Sequence, residues 1–168
     1  PASPGVEARA AIAYLPAKDG GDRMKPGWRE EPAFHGSCQC GAVRYAVKDG
    51  PAKSVVCHCR MCQRATGNAF APLIEVPEGR VIWTGTPAEW ASSDVAIRGF
   101  CRTCGTPLYY RSAGSTEIMA GTIAPGFDFR PHDNCATESR RDWVAHLAHY
   151  PDRPTPDSYN VTSFQAPE

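Results

Sequence analysis

Apolar and polar side chains alternate with a period of two along the middle of the chain. In the stretch AVRYAVKDG, Val43, Tyr45 and Val47 alternate with polar or small residues, and Asp49 with Gly50 supplies a turn. Short runs of similar kind follow, separated by Pro or Gly: FAPLIEV, RVIWTG, VAIRGF, PLYYRS and TEIMAG. The pattern predicts a mainly β fold built from short strands.

One segment near the C-terminus, SRRDWVAHLAHY, follows a helical pattern instead. Ser139 with Asp142 resembles a capping box, Trp143 and Leu147 share one face, and Pro151 ends the pattern. We therefore expect a short C-terminal helix after the strands.

Composition divides the chain into three parts. Residues 1–33 form an irregular N-terminal extension, which is rich in Ala, Gly and Pro and has no sustained period, and Met24 is a candidate natural start. The compact domain is predicted over residues 34–150. Residues 151–168 carry four prolines and are predicted to form an irregular tail.

Charge and hydropathy narrow the function classes. The chain has 18 basic and 18 acidic residues, so no global field attracts nucleic acid or an anionic membrane. The adjacent pair Arg140 and Arg141 is interpreted as a solvated surface.

No stretch approaches the roughly 20 apolar residues that cross a bilayer. The absence of a signal-like start and the grouping of the eight cysteines favour metal ligation over disulfides, which predicts a cytoplasmic protein.

Seven of the eight cysteines fall into three groups with the spacings of metal chelates. Cys-x-x-Cys is a tight turn that directs two sulfurs at one ion, and the glycine at position 105 suits such a knuckle. Cys-x-Cys in an ideal strand separates the sulfurs by about 6–7 Å, whereas tetrahedral zinc needs about 3.8 Å, so a bend after Gly36 or at Gly41 is required. We expect zinc to be held by two or more of the groups, whose members are Cys38 and Cys40; Cys57, Cys59 and Cys62; and Cys101 and Cys104.

Spacing alone leaves the partition of these ligands open. Two pairs make one closed four-thiolate site and leave the triplet with three ligands, but a set of Cys38, Cys40, Cys59 and Cys62 is also allowed. His58 is a conceivable extra ligand, but in an extended segment it points away from its cysteine neighbours, which favours a packed or hydrogen-bonded role. Cys135 stands alone, and a small buried side chain is expected there.

The motifs HGSCQCGAVRYAV, VVCHCRMCQRATGNAFAPLIEVP, FCRTCGTPLYYR and MAGTI, in this order, resemble the glutathione-dependent formaldehyde-activating enzyme family, which also includes centromere protein V. The resemblance covers residues 34–150 and implies a zinc-stabilised β-tent of short antiparallel sheets. It also implies two zinc ions per chain. The structural one is held by Cys38, Cys40, Cys101 and Cys104, and the catalytic one by Cys57, Cys59 and Cys62, with its fourth position left for water or a substrate thiol.

The implied activity is that of a carbon–sulfur lyase, the reversible addition of glutathione or a related thiol to a small aldehyde such as formaldehyde. Four residues within or just after the triplet are candidates to bind the thiol: Arg60, Gln63, Arg64 and Asn68. Residues 124–126 and 133–135 depart from the family pattern and are candidates to line the substrate cleft. The alternatives are a glutathione carrier without turnover and a non-catalytic zinc-based interaction module. A homo-oligomer is compatible with either class, and no nucleic acid or membrane partner is expected.

Overall fold

Short antiparallel strands make up most of the computed structural model, which describes residues 26–112, 114–156 and 160–167. This confirms the mainly β fold. The strands are β1 Arg29–Glu31, β2 Phe34–Ser37, β3 Arg44–Val47, β4 Gly50–Cys57, β5 Ala71–Pro77, β6 Val81–Thr84, β7 Ala88–Ala91, β8 Ala96–Phe100, β9 Pro107–Ser112, β10 Ser115–Met119 and β11 Asp133–Cys135.

The larger sheet has eight strands, with the order β1-β4-β5-β10-β9-β8-β7 and with β11 added beside β4. Its neighbours pair antiparallel except for β11, which runs parallel to β4. Strands β8, β9 and β10 follow one another through short connections, as the alternating runs predicted. The position of β5 between β4 and β10 is a long-range arrangement that period-two patterns do not specify.

The smaller sheet has the order β2-β3-β6 and packs on the larger one. The core between them contains Phe34, Tyr45 and Val47 from the small sheet and Ile74 and Ile118 from the large sheet. These side chains stand on the buried face of each strand, because side chains on alternate positions point to one face of a sheet. The apolar positions of the alternating pattern therefore form the contact between the two sheets.

Helices in the described residues are short, and three of them were not predicted, two of which are the 3-10 helices Ala120–Thr122 and Thr137–Ser139. Helix α1 spans Arg60–Thr66, within a stretch that the sequence analysis treated as extended around His58. The C-terminal segment Asp142–His149 is helical as expected but is a 3-10 helix, and the capping box does not form, because Arg141 is its N-cap and makes no side-chain cap bond. Trp143 and Leu147 are 46% and 49% exposed, so no buried face stabilises an α-helix there.

The two ends of the chain differ from the prediction in one respect. Residues 29–31, expected to be part of the irregular extension, form β1 and pair with β4. Residues 1–25, including Met24, lie outside the described residues. The described part of the tail has no helix or strand, and the Ala166 amide donates to the Gln39 carbonyl at 2.8 Å. No helix in the described residues is long and apolar enough to cross a membrane.

Candidate metal centres

The first centre is a cluster of four sulfurs at the junction of the two sheets. Its ligand atoms all lie within 4.8 Å of one another, with 3.6 Å between the sulfurs of Cys38 and Cys40 and 3.8 Å between those of Cys40 and Cys101. Tetrahedral zinc with Zn–S bonds of about 2.3 Å needs sulfurs about 3.8 Å apart. The four thiols Cys38, Cys40, Cys101 and Cys104 therefore have the spacing of a closed zinc site.

Two tight turns bring these sulfurs together. The Gly41 amide donates to the Cys38 carbonyl at 2.9 Å, and the Gly105 amide donates to the Cys101 carbonyl at 2.9 Å. Both glycines have a positive φ, 75° at Gly41 and 77° at Gly105, which side chains other than Gly rarely adopt. The bend at Gly41 is the one that the Cys-x-Cys spacing requires. The chain leaves β2 after Ser37, and the turn closed by Gly41 contains both cysteines.

The electrostatics of the first centre favour thiolate at one of its ligands. The Thr106 hydroxyl lies 3.1 Å from the Cys104 sulfur. Burial raises the pKa of the Cys104 thiol, but hydrogen bonds with Thr106 and Cys40 lower it by more, to about 6. Because thiolate is the form that ligates a metal, Cys104 is ready to bind an ion at neutral pH.

The second centre is a cluster of three sulfurs where β4 passes into α1. Cys57 is the last residue of β4, Cys59 is the N-cap of α1, and Cys62 lies in the first turn of the helix. Their sulfurs lie within 4.8 Å of one another, and the Cys62 amide donates to the Cys59 sulfur at 3.3 Å. A helix start folds Cys-x-x-Cys onto one side and directs amide hydrogens at its first sulfur. Within the described residues, no further His, Cys or carboxylate belongs to this group.

His58 lies between two of these cysteines but faces the protein interior. It is 1% exposed, and its Nε2 lies 3.0 Å from the Asn134 side-chain oxygen. Its backbone amide donates to the Cys135 carbonyl at 2.9 Å. His58 is packed and hydrogen-bonded, and it holds β11 against the end of β4.

Cys135 lies beside the second centre, which its position in the sequence did not reveal. It is the register partner of Cys57 in the parallel pair of β11 with β4, and its thiol lies 3.7 Å from the Val56 carbonyl. It packs, half-buried, on the same apolar cluster as Cys57 and Cys59. Residues 133–135, where the chain departs from the family pattern, therefore border the second centre.

Arg98, a residue that the sequence analysis did not single out, contacts the second centre. Its Nη2 lies 3.5 Å from the Cys62 sulfur, and its guanidinium carbon lies 5.0 Å from the centre of the Tyr110 ring. The pKa of the Cys62 thiol is raised by its hydrogen bond with Cys57 and by burial, and the Arg98 guanidinium acts in the opposite direction. No metal-ligand spacing includes position 98, so only the fold reveals this contact.

A comparison with protein-family models assigns residues 33–139 to the family described as glutathione-dependent formaldehyde-activating enzyme. The matched segment includes both cysteine clusters and most of the chain. The chain belongs to this family. The comparison confirms the resemblance that its motifs indicated.

One curated protein and one solved structure show a distant similarity to this member of the glutathione-dependent formaldehyde-activating enzyme family. A Schizosaccharomyces pombe protein described as an uncharacterized lyase is 30% identical over 79 residues, which cover 47% of this chain and 58% of the yeast protein. The chain thus spans little more than half the length of this curated relative. A crystal structure of a Rhodobacter sphaeroides protein is 20% identical, with a TM-score of 0.44 over 56% of this chain and 91% of the other. That likeness is too distant to bear on function.

The four predicted thiol-binding residues of this family member line one open cavity of about 410 Å³ beside α1. Arg141 and Trp143 line it too, although the sequence analysis interpreted Arg141 as solvated surface. Both arrive from the segment after β11, so their approach to α1 depends on the parallel pairing of that strand. The cavity is lined by Arg60, Gln63, Arg64, Gly67, Asn68, Ala69, Arg141 and Trp143.

Gln63 differs from the other candidates because both the nitrogen and the oxygen of its side-chain amide have hydrogen-bond partners within the chain. Its Nε2 donates to the carbonyls of His58 at 2.6 Å and Ser139 at 2.8 Å. Its Oε1 accepts from Arg141 Nε at 3.2 Å and from Arg60. Gln63 therefore joins α1 to the segment after β11 and orients two arginines of the cavity.

Proposed function

We propose that the chain is a zinc-dependent enzyme of the carbon–sulfur lyase type, which promotes the reversible addition of glutathione or a related thiol to a small aldehyde such as formaldehyde. Membership of the family and the lyase name of the yeast relative support a lyase-like role. The observation that carries the proposal is the division of seven sulfurs into a cluster of four and a cluster of three.

Two zinc ions per chain, with different roles, follow from this division. A closed set of four ligands is the pattern of a structural zinc, and three protein ligands with one position for an exogenous group is the catalytic pattern. In this proposal Cys38, Cys40, Cys101 and Cys104 hold the structural ion. Cys57, Cys59 and Cys62 hold the catalytic one.

Three thiolate ligands suit thiol chemistry better than water activation. Three thiolates and one divalent zinc ion carry a net charge of −1. The zinc in such a site would be a weaker Lewis acid than a zinc held by three neutral histidines. Zinc, when bound, supplies deprotonation of a coordinating thiol, which otherwise has a pKa of about 8.5 and is only slightly ionised at neutral pH. The task of Cys57, Cys59 and Cys62 is to hold that ion with one side accessible to the substrate sulfur.

The cavity beside α1 has the chemistry to bind the rest of a glutathione molecule. Arg60, Arg64 and Arg141 contribute three guanidinium groups, and none of them forms an ion pair with a carboxylate in the part of the chain that the structure describes. Guanidinium groups bind carboxylates through two parallel hydrogen bonds. We propose that they meet the two carboxylates of glutathione, and that Asn68 contributes an amide contact.

A reducing compartment fits this chemistry. All eight cysteines are free thiols in the structure, and metal–thiolate sites persist where thiols stay reduced. We propose a cytoplasmic location on this ground. Formation of a homo-oligomer stays a prediction.

The direct test is exchange NMR on glutathione and formaldehyde at equilibrium, which measures how fast the adduct forms and breaks with and without the protein. We expect the wild type to accelerate exchange beyond the spontaneous rate and to contain two zinc ions. Cys59→Ser is expected to keep its fold and one zinc and to lose the acceleration. An active Cys59→Ser variant would refute the catalytic role of the triplet.

The alternatives give different results in the same experiment. Thiol binding at the second zinc without faster exchange would identify a carrier. One zinc that does not respond to added thiol would identify an interaction module.

A further inference from the structure

The buried guanidinium of Arg98 is unusual among the described residues because it forms no ion pair with a carboxylate and its side-chain hydrogen bond goes to a cysteine. Arg98 is 8% exposed, and no carboxylate in the described residues forms an ion pair with it. Its Nη2 is directed at the Cys62 sulfur, and its Nη1 is buried without any hydrogen-bond partner. An unpaired buried charge is strongly unfavourable, so such a group is expected where an anion is bound.

The surroundings of Arg98 explain why it stays directed at the second centre. Its strand position pairs with Tyr110 on β9, whose ring lies beneath the guanidinium at 5.0 Å. The ring supports the cation on one side and restricts it to the direction of Cys62. Glu117, opposite Tyr110 on β10, is close enough for the Arg98 charge to lower its pKa, but burial and Glu75 raise that pKa to about 7. A carboxyl that is partly protonated at neutral pH neutralises Arg98 only in part.

The charge of the second centre is what Arg98 can balance. Three thiolates around a divalent ion carry a net charge of −1, and a fourth, incoming thiolate would bring it to −2. When the Arg98 cation, which contacts Cys62, is included, the net charge becomes 0 with three thiolates and −1 with four. Because like charges repel strongly in a poorly solvated site, this difference decides how well a fourth thiolate binds.

We propose that Arg98 is a positioning residue that acts through Cys62 and sets the affinity of the second centre for the incoming thiolate. This inference rests on the proposed function and adds that different arginines bind different parts of the thiol substrate. Arg98 governs the binding of the sulfur for any thiol, whereas the arginines of the cavity beside α1 recognise carboxylates. The orphaned Nη1 is consistent with a site whose remaining anion comes from outside the chain.

The separate roles of Arg98 and the cavity arginines can be tested with two thiols. Glutathione carries two carboxylates, and 2-mercaptoethanol carries none. The dissociation constants of both thiols are measured by calorimetry on the zinc-loaded full chain, and zinc content is measured in parallel. Outer-shell partners of metal ligands typically change affinity by roughly 10–100-fold. Arg98→Met is expected to weaken the binding of both thiols by that factor and to keep the first zinc.

The matched control is Arg64→Met in the cavity, which is expected to weaken the binding of glutathione and leave the binding of 2-mercaptoethanol unchanged. Arg98→Lys keeps the charge and is expected to recover most of the affinity that Arg98→Met loses. Thermal unfolding establishes that each variant is folded. If Arg98→Met fails to fold, Arg98→Gln, which is neutral but polar, takes its place.

Two results would overturn the proposal. Wild-type affinity of Arg98→Met for 2-mercaptoethanol would show that the guanidinium has no influence on the sulfur. Equal losses in Arg98→Met and Arg98→Lys would show that shape, and not charge, is responsible. The proposed function fails separately, if the wild type itself binds neither thiol or does not accelerate exchange.

Discussion

Cys135 and Cys57 lie side by side as register partners on two parallel strands, yet only Cys57 belongs to the group of three mutually close sulfurs. We therefore expect opposite results from substituting them. Cys57→Ser should lose the second zinc, whereas Cys135→Val should keep both, because valine fills a similar half-buried space. Zinc content by atomic emission distinguishes them. A lost zinc in Cys135→Val would show that this thiol is a fourth ligand and that the second centre is closed.

The first centre should determine stability. Its sulfurs come from the turn after β2 in the small sheet and from the connection between β8 and β9 in the large sheet, so an ion there links the two sheets. Cys101→Ser should lower the free energy of unfolding by more than about 4 kcal/mol, as expected when a structural metal site is lost. Urea unfolding followed by circular dichroism measures this loss. Cys59→Ser is the matched control, and an equal loss in both variants would contradict the assignment of roles.

Glu117 should make the protein less stable as the pH rises. Burial and the neighbouring Glu75 raise its pKa from 4.5 to about 7, against the opposing effects of Arg98 and Lys53. The folded protein therefore holds this proton more tightly than the unfolded chain does, and stability falls as the pH increases from 4.5 through 7. Glu117→Gln should remove up to about 3 kcal/mol of this loss at pH 8 and change little at pH 4.5.

Urea unfolding of the zinc-loaded protein at both pH values checks the expectation. The difference between wild type and variant isolates Glu117, because the thiols and the metal respond to pH in both proteins alike. Parallel profiles of the two proteins would contradict a raised pKa.

Gly99 should not tolerate a side chain. It lies opposite Tyr109 in the β8–β9 pair, and a Cβ at this position would lie 2.1 Å from the ring of Tyr109, which is buried. The ring also packs on Trp83 at 5.0 Å and has little room to move. Gly99→Ala is therefore expected to lower the free energy of unfolding by about 1–3 kcal/mol.

Gly121→Ala is the control for this substitution. A Cβ at Gly121 would meet no atom within 4 Å, and its φ is not positive. We expect a change within about 0.5 kcal/mol in urea unfolding. Equal stability of the two variants would show that Tyr109 moves aside without cost.

Local pattern was enough to predict six of the eleven strands in the described residues and the candidate metal ligands. The alternation around Tyr45 and the later apolar runs became β3, β5, β6, β8, β9 and β10, because a strand that buries one face must alternate. The close spacing of Cys101 and Cys104 signalled a chelate, because a four-residue turn by itself directs two sulfurs at one point. The glycine at position 105 followed from the same local geometry.

Helix α1 is one element that local pattern did not predict. Its start at Cys59 carries no conventional signal, since the N-cap is a cysteine and the first turn has no acidic residue. Seven residues are too few to form a helix alone. Packing of Cys62 and Gln63 against the sheet and the segment after β11 stabilises it, and that packing involves residues more than 70 positions away.

By itself, the sequence determined that this chain is mainly β, that its cysteines have the spacings of metal chelates, and that its motifs are those of one family. The tertiary structure showed that the sulfurs divide into a group of four and a group of three, as the family resemblance implied, and it alone decided which arginine faces Cys62 and that Cys135 lies beside Cys57. The physical reason is that spacing sets the reach of a single turn, whereas neighbours across a sheet depend on which distant strands pair. Alternation marks a face but does not identify the strand that lies next to it.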